Sequence, residues 1–162
     1  MPGKPTLYLE STIPSYLTAR PSRDLIVAAH QQITHEWWEG CRADYDVYVS
    51  EAVLLEIGAG DPEAAARRLA KVEGLPRLPL TQDVDALALK YQDGLGLPRD
   101  ARVDIVHIAC AVAHRMEYLL TWNCTNIAHG LVIRRLQTLN AKLSMPTPVI
   151  VTPEELLASL GG

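Results

Sequence analysis

The chain has 162 residues, of which 48% are hydrophobic and 21% charged, and its formal net charge is −4. This length suits one domain with a sizeable core, and the apolar fraction excludes intrinsic disorder. No apolar run reaches the roughly 18 residues of a membrane span, and residues 1–10 lack the apolar stretch of a secretory signal. We expect a single domain over residues 1–162 whose slight acidic excess gives no overall attraction to nucleic-acid phosphates.

Three cysteines, Cys41, Cys110 and Cys124, are odd in number and widely separated. They form neither the CxxC pattern of a zinc site nor an even disulfide framework. A reducing compartment, the cytoplasm, is therefore the expected location, and no membrane partner is expected.

Short strand-like runs alternate with longer helical segments along the chain. The strands are rich in β-branched, aromatic and leucine residues, and they are predicted at Thr6–Leu9, Tyr45–Val49, Pro76–Leu80, Tyr118–Trp122 and Pro148–Val151. The helices begin near capping residues or proline, and they are predicted over 22–40, 50–58, 62–73, 81–93, 100–116, 126–143 and 153–160. This alternation indicates βαβ units, so we expect an α/β fold with a mostly parallel sheet of about five strands that helices cover on both faces.

Four polar residues stand at the ends of predicted strands or interrupt apolar helices. Glu10 directly follows the first strand, and Asn123 follows Tyr118–Trp122 in the same topological position. Glu56 and Asp104 each lie on a predicted helix that is otherwise apolar around them. Because ligands bind beyond the carboxyl ends of the strands in an open parallel sheet, we expect these side chains to converge there.

Converging carboxylates need a counter-charge. An ionised carboxylate is costly to bury unless it is paired, and neighbouring carboxylates raise one another's pKa. Mg²⁺ or Mn²⁺ removes both penalties because these hard cations prefer oxygen ligands. Glu10, Glu56 and Asp104 are therefore candidate metal ligands.

Each candidate also has a structural explanation that requires no ligand. Asp100 could be a helix N-cap, and Glu10 could cap a turn. Glu56 could form a salt bridge with Arg67 or Arg68, and Asp104 could interact with the dipole of its own helix. His107, one turn beyond Asp104, is interpreted first as a hydrogen-bonded core or rim histidine and alternatively as a group that orients a carboxylate. Taken together, the positions favour a shared site.

Four segments of the sequence resemble the PIN-domain family, and in particular its branch of VapC-type toxins. They are LYLESTIPSYL, SEAVLLEIGAGDPEAAARRL, RVDIVHIACAV and YLLTWNCTNIA, and they occur in the family's order over residues 5–152. The resemblance implies a three-layer α/β/α fold and a Mg²⁺- or Mn²⁺-dependent endoribonuclease site of three or four acidic residues. The family's acidic positions fall on Glu10, Glu56, Asp104 and Asn123 of this chain.

Two of these positions differ from the family pattern. Glu10 stands where aspartate is usual and is one methylene longer, and Asn123 offers a carbonyl oxygen without charge. We therefore expect a second metal to bind less well than the first, and Asp100 is the candidate for a compensating acid. Ser11 and Thr12 could orient a water molecule or an acidic ligand of the cation.

The resulting hypothesis is hydrolysis of RNA phosphodiesters by the toxin of a type II toxin–antitoxin pair. Resemblance further implies a cognate antitoxin and a homodimer. Basic residues that could contact RNA fall in three groups, namely Arg20 and Arg23, then Arg67, Arg68 and Lys71, then Arg134 and Arg135.

Two alternatives stay open at the level of sequence. The missing charge at Asn123 favours a catalytically weak PIN fold that serves as a binding or assembly module. Another Mg²⁺-dependent enzyme, such as a phosphohydrolase, is disfavoured by Glu10, because such enzymes rely on an aspartate at the end of the first strand.

Overall fold

The computed structural model describes residues 3–158. Within this range the strands are β1 (Thr6–Leu9), β2 (Asp46–Ser50), β3 (Arg77–Leu78), β4 (Tyr118–Leu120) and β5 (Val149–Val151). The helices are α1 (Thr12–Thr18), α2 (Leu25–Gly40), α3 (Glu51–Ile57), α4 (Pro62–Lys71), α5 (Gln82–Gly94), α6 (Arg102–Ala113), α7 (Gly130–Leu143) and α8 (Pro153–Leu157). One-turn 3₁₀ helices precede β2 and α6, at Arg42–Asp44 and Arg99–Ala101.

The five strands form one parallel sheet in the order β3-β2-β1-β4-β5. Two groups of helices cover it: α1 packs against α2 and α4 with α8 on α2, whereas α5 packs against α6 and α7. The predicted three-layer α/β/α fold is confirmed. From the central strand β1, the strands β2 and β3 are added on one side of the sheet and β4 and β5 on the other. Ligand clefts form at the point where the strand order reverses in this way.

The core is built around β1 and α6. Leu7, Tyr8 and Leu9 of β1 are fully buried, as is Ile108 of α6. The helix predicted over 100–116 is apolar nearly all round because it packs on the sheet and on α5 at once. Among the described residues, no helix combines the length and the apolar character that crossing a bilayer requires.

All strand ends lie within two residues of their predicted positions, but the first helix is missed by the sequence pattern. The structure forms α1 over Thr12–Thr18, where no helix is predicted. Pro14 is compatible with it because the first turn of a helix needs no N–H donor. The helix predicted over 22–40 begins only at Leu25, since the side chain of Asp24 caps it.

The helix predicted over 100–116 is shorter than expected at both ends. Its N-cap is Ala101, so the prediction that Asp100 caps this helix is wrong, and Asp100 lies in the preceding 3₁₀ turn. At the other end the chain reverses at Arg115, which has a φ of 56°.

The last two helices also occupy less than their predicted ranges. Helix 126–143 starts late because the chain first closes a hydrogen-bonded turn on the carbonyl of Asn123. The helix predicted over 153–160 ends at Leu157, and residues 159 and 160 lie outside the described part of the chain.

Replacing Ile108 tests the assignment of α6 to the core. Ile108→Ala removes fully buried methyl groups and leaves a cavity, so we expect the free energy of unfolding to fall by about 2–5 kcal/mol. Leu89→Ala on α5, where the side chain is 67% exposed, is the control and should change it by less than about 0.5 kcal/mol. Urea denaturation measures both, and equal losses would contradict the packing described.

Candidate functional site

A cavity of about 300 Å³ opens beyond the carboxyl ends of β1 and β4, and we call it the acid cavity. Its lining consists of Glu10, Ser11, Thr12, Ser15, Tyr16, Glu56, Ile57, Arg68, Asp104 and Asn123. Six of the seven site residues predicted from sequence are therefore brought together. The exception is Asp100, which is exposed and is not part of the lining.

Glu10 is 2% exposed at the bottom of the acid cavity. Its Oε1 accepts hydrogen bonds from the amide and the hydroxyl of Thr12, at 3.2 and 2.5 Å, and from the hydroxyl of Thr121 at 2.6 Å. The Thr12 hydroxyl accepts in turn from the backbone amide of Trp122 at 2.9 Å. Three donors on one oxygen fix this carboxylate and leave Oε2 without a donor among residues 3–158.

Glu56 reaches the same cavity from the last turn of α3, where it is partly exposed. Its Oε1 lies 2.9 Å from Nε2 of His107, a fully buried residue of α6. This hydrogen bond holds the pKa of Glu56 below its ordinary value, although partial burial acts in the opposite direction. Glu56 is therefore ionised at neutral pH. The alternative that it pairs with Arg67 or Arg68 is wrong, because its partner is His107.

His107 belongs to a chain of hydrogen bonds that runs from β2 to the acid cavity. Its Nδ1 lies 2.7 Å from the hydroxyl of Tyr8, which lies 2.7 Å from the hydroxyl of Ser50. Ser50 also accepts from the amide of Val53 and so caps α3, the helix that carries Glu56. The structural interpretation of His107 and the alternative that it orients a carboxylate are thus both correct.

The donors and acceptors in this series of hydrogen bonds, from Ser50 to Glu56, follow from the ionised state of the Glu56 carboxylate. An ionised carboxylate only accepts, so Nε2 of His107 must carry a proton and donate to Glu56. In a neutral imidazole Nδ1 then accepts from Tyr8, whose oxygen accepts from Ser50. Burial raises the pKa of Tyr8 well above its usual value, which keeps this hydroxyl a donor.

Asp104 and Asn123 are joined by Asn126, a residue that the sequence analysis does not identify. The Asn126 side-chain amide donates to Oδ2 of Asp104 at 2.9 Å, and its backbone amide donates to Oδ1 of Asn123 at 3.0 Å. The sequence signal is the NCTN tetrapeptide, in which an asparagine side chain can close a turn on the residue three positions later. Thr121 is missed as well, because nothing in the sequence places it beside Glu10.

The residues present fit a hard divalent cation. Donor atoms of Glu10, Glu56 and His107 lie within 4.8 Å of one another, whereas Asp104 lines the same cavity but is not in this group. Both nitrogens of His107 already form hydrogen bonds, so carboxylate oxygens are the available ligands. The Ser11 hydroxyl is buried in the lining, where it lies close enough to Glu56 to help lower the pKa of that carboxylate but forms no hydrogen bond of normal geometry among residues 3–158. A buried polar atom of this kind normally contacts a ligand or water.

Comparison with solved structures identifies the fold as that of a VapC-type PIN domain. VapBC2 from Rickettsia felis, solved bound to a DNA fragment from the promoter, is similar over 91% of this chain and 98% of its own, with a TM-score of 0.56 and 14% identity. VapC20 of Mycobacterium tuberculosis, a sarcin–ricin loop cleaving toxin, is similar over 70% of this chain and 87% of its own, with a TM-score of 0.54 and 14% identity. No protein-family model matches the sequence, and no curated protein matches it significantly.

Tyr8→Phe tests the proton arrangement of this chain of hydrogen bonds. Loss of the Tyr8 hydroxyl leaves Nδ1 of His107 without its donor, so we expect the ring to change from a single Nε2–H tautomer to a mixture. Nitrogen-15 NMR of the histidine side chains distinguishes the two forms. Tyr48→Phe on β2 is the control and should leave the His107 signals in place; an unchanged tautomer in Tyr8→Phe would contradict the assignment.

His107→Leu tests the cause of the lowered pKa of Glu56. Without the hydrogen bond from His107, partial burial is opposed only by the nearby Ser11 hydroxyl, so the pKa of Glu56 should rise. Because the folded-state pKa is below the unfolded one, ionised Glu56 stabilises the fold above the unfolded pKa, and this stabilisation is lost as the pH falls through the folded value. Carbon-13 titration of the metal-free protein measures the pKa, and His114→Leu, at the far end of α6, should not change it.

Proposed function

We propose that this protein is a metal-dependent endoribonuclease and the toxin of a type II toxin–antitoxin pair. The observation that carries the proposal is the convergence of Glu10, Glu56 and Asp104 in one cavity at the reversal of strand order. The shared fold with VapC20, a sarcin–ricin loop cleaving toxin, supports RNA as the substrate.

Glu10, Glu56 and Asp104 would hold Mg²⁺ or Mn²⁺, with Asn123 as a neutral oxygen ligand or as support for the turn that carries Asn126. When bound, the cation supplies neutralisation of the scissile phosphodiester and Lewis acidity for hydrolysis. Thr12 positions Glu10 through its hydroxyl, and the free hydroxyl of Ser11 is available to orient water or substrate.

The proposed partners are RNA as substrate, an antitoxin as inhibitor and a second copy of the chain in a homodimer. The similarity to VapBC2 from Rickettsia felis, solved as a complex on promoter DNA, supports the antitoxin. The cytoplasm is the proposed compartment, which agrees with the free state of Cys41, Cys110 and Cys124.

Cleavage of a panel of cellular RNAs tests the proposal. With Mn²⁺ or Mg²⁺ the wild-type protein should produce discrete fragments, and EDTA should prevent their formation. Asp104→Asn removes one charge from the acid cavity at nearly constant volume, so we expect cleavage to slow by about a hundredfold or more. Asp93→Asn on α5, an exposed position, is the matched control and should retain the wild-type rate.

The alternatives give different results in the same experiment. No saturable Mn²⁺ binding that depends on Asp104, together with no cleavage of any RNA, would indicate a binding module. Release of phosphate from a small phosphomonoester with all RNAs intact would indicate a phosphohydrolase. Either result contradicts the endoribonuclease proposal.

A further inference from the structure

We propose that Arg68 is the residue that binds the phosphate of the substrate in the acid cavity, an inference that rests on the proposed ribonuclease function. The ligand is the phosphodiester anion of single-stranded RNA. Among the seven basic residues that the sequence offers for RNA contact, Arg68 is the one that lines the cavity with Glu10 and Asp104.

The guanidinium of Arg68 is held in place by backbone carbonyls at the end of α3. Its Nε donates to the carbonyl of Ile57 and its Nη2 to that of Ala59, each at 2.8 Å. These carbonyls carry the partial negative charge of a helix carboxyl end, which stabilises a cation there. Within residues 3–158 no acceptor is hydrogen-bonded to Nη1, so this nitrogen can donate to a ligand.

Arg68 lines the same cavity as three carboxylates but, among residues 3–158, forms an ion pair with none of them. Between residues 3 and 158, the single pair of oppositely ionisable groups within 4.0 Å is His107 and Glu56. An arginine placed only to neutralise acids would contact a carboxylate directly. A fixed, half-buried guanidinium with an unused donor is instead suited to a phosphate, which arginine binds through its fork of N–H groups.

The positive charge of Arg68 changes the net charge of the acid cavity. Three carboxylates and one guanidinium have a net charge of minus two, which one divalent cation cancels. Without Arg68, the cation-loaded cavity would keep one negative charge and would repel a phosphodiester. Arg68 therefore makes the loaded cavity neutral at the place where an anionic substrate must enter.

A second donor in the same lining supports a phosphate ligand. Ser11 is 5% exposed, and its hydroxyl lies beside Glu56 without forming a hydrogen bond of normal geometry among the described residues. A phosphate oxygen would accept a hydrogen bond from this hydroxyl, as it would from Nη1 of Arg68. Arg68 and Ser11 thus each offer a hydrogen-bond donor in the lining of the same 300 Å³ cavity.

Binding of a fluorescently labelled single-stranded oligoribonucleotide, followed by anisotropy, tests the inference. Ca²⁺ serves as the divalent cation, and a gel confirms that the RNA stays intact. Arg68→Met should weaken binding about tenfold or more, and Arg68→Lys, which keeps the charge but loses the fork, should give an intermediate loss. Arg115→Met, beyond the opposite end of α6, is the matched control and should change affinity less than about twofold.

Titration of Mn²⁺ without RNA separates this role from damage to the cavity. Because Arg68→Met removes a positive charge beside the carboxylates, it should bind Mn²⁺ as tightly as the wild type or more tightly. Loss of both Mn²⁺ and RNA binding would overturn the inference, and so would wild-type RNA affinity in Arg68→Met. If the wild-type protein itself binds no RNA, the proposed function fails and the inference fails with it.

Discussion

Glu10 is buried at the carboxyl end of β1, and the rest of the site depends on the hydrogen-bond donors that this buried carboxylate requires. A carboxylate that is 2% exposed is tolerated only with donors around it, and here the hydroxyls of Thr12 and Thr121 provide them. Thr121 can do so because β4 pairs with β1 and places Leu120 opposite Leu9. The strand order and the anionic site are therefore consequences of the same pairing.

The three carboxylates of the acid cavity share a second property, which is that neutral groups hold them. Threonine hydroxyls hold Glu10, the imidazole of His107 holds Glu56, and the side-chain amide of Asn126 holds Asp104. Lysine or arginine in these places would fix the oxygens and also cancel their charge. Neutral donors fix the oxygens and preserve the charge, so the cavity keeps its attraction for a cation.

The sequence predicts the parts of this arrangement that depend on local pattern. The acid that follows the first strand and the two acids that interrupt apolar helices are visible in the sequence, and Glu10, Glu56 and Asp104 all line the acid cavity. The supporting contacts join residues far apart in sequence, such as the 51 positions between Glu56 and His107. Periodicity carries no information on such pairs. The prediction that Asp100 caps α6 was wrong because a 3₁₀ turn shifts the start of that helix.

Asn123 illustrates how one substitution changes the electrostatics without changing the local structure. Its Oδ1 accepts from the amide of Asn126, a role that an aspartate oxygen fills equally well. The turn therefore does not require an asparagine at position 123. Compared with an aspartate, Asn123 leaves the cavity with one negative charge fewer. A fourth carboxylate with Arg68 present would leave a net charge of minus three, which a single divalent cation cannot cancel. With asparagine, the formal charges of the cavity would balance those of the one divalent cation that the proposed function requires.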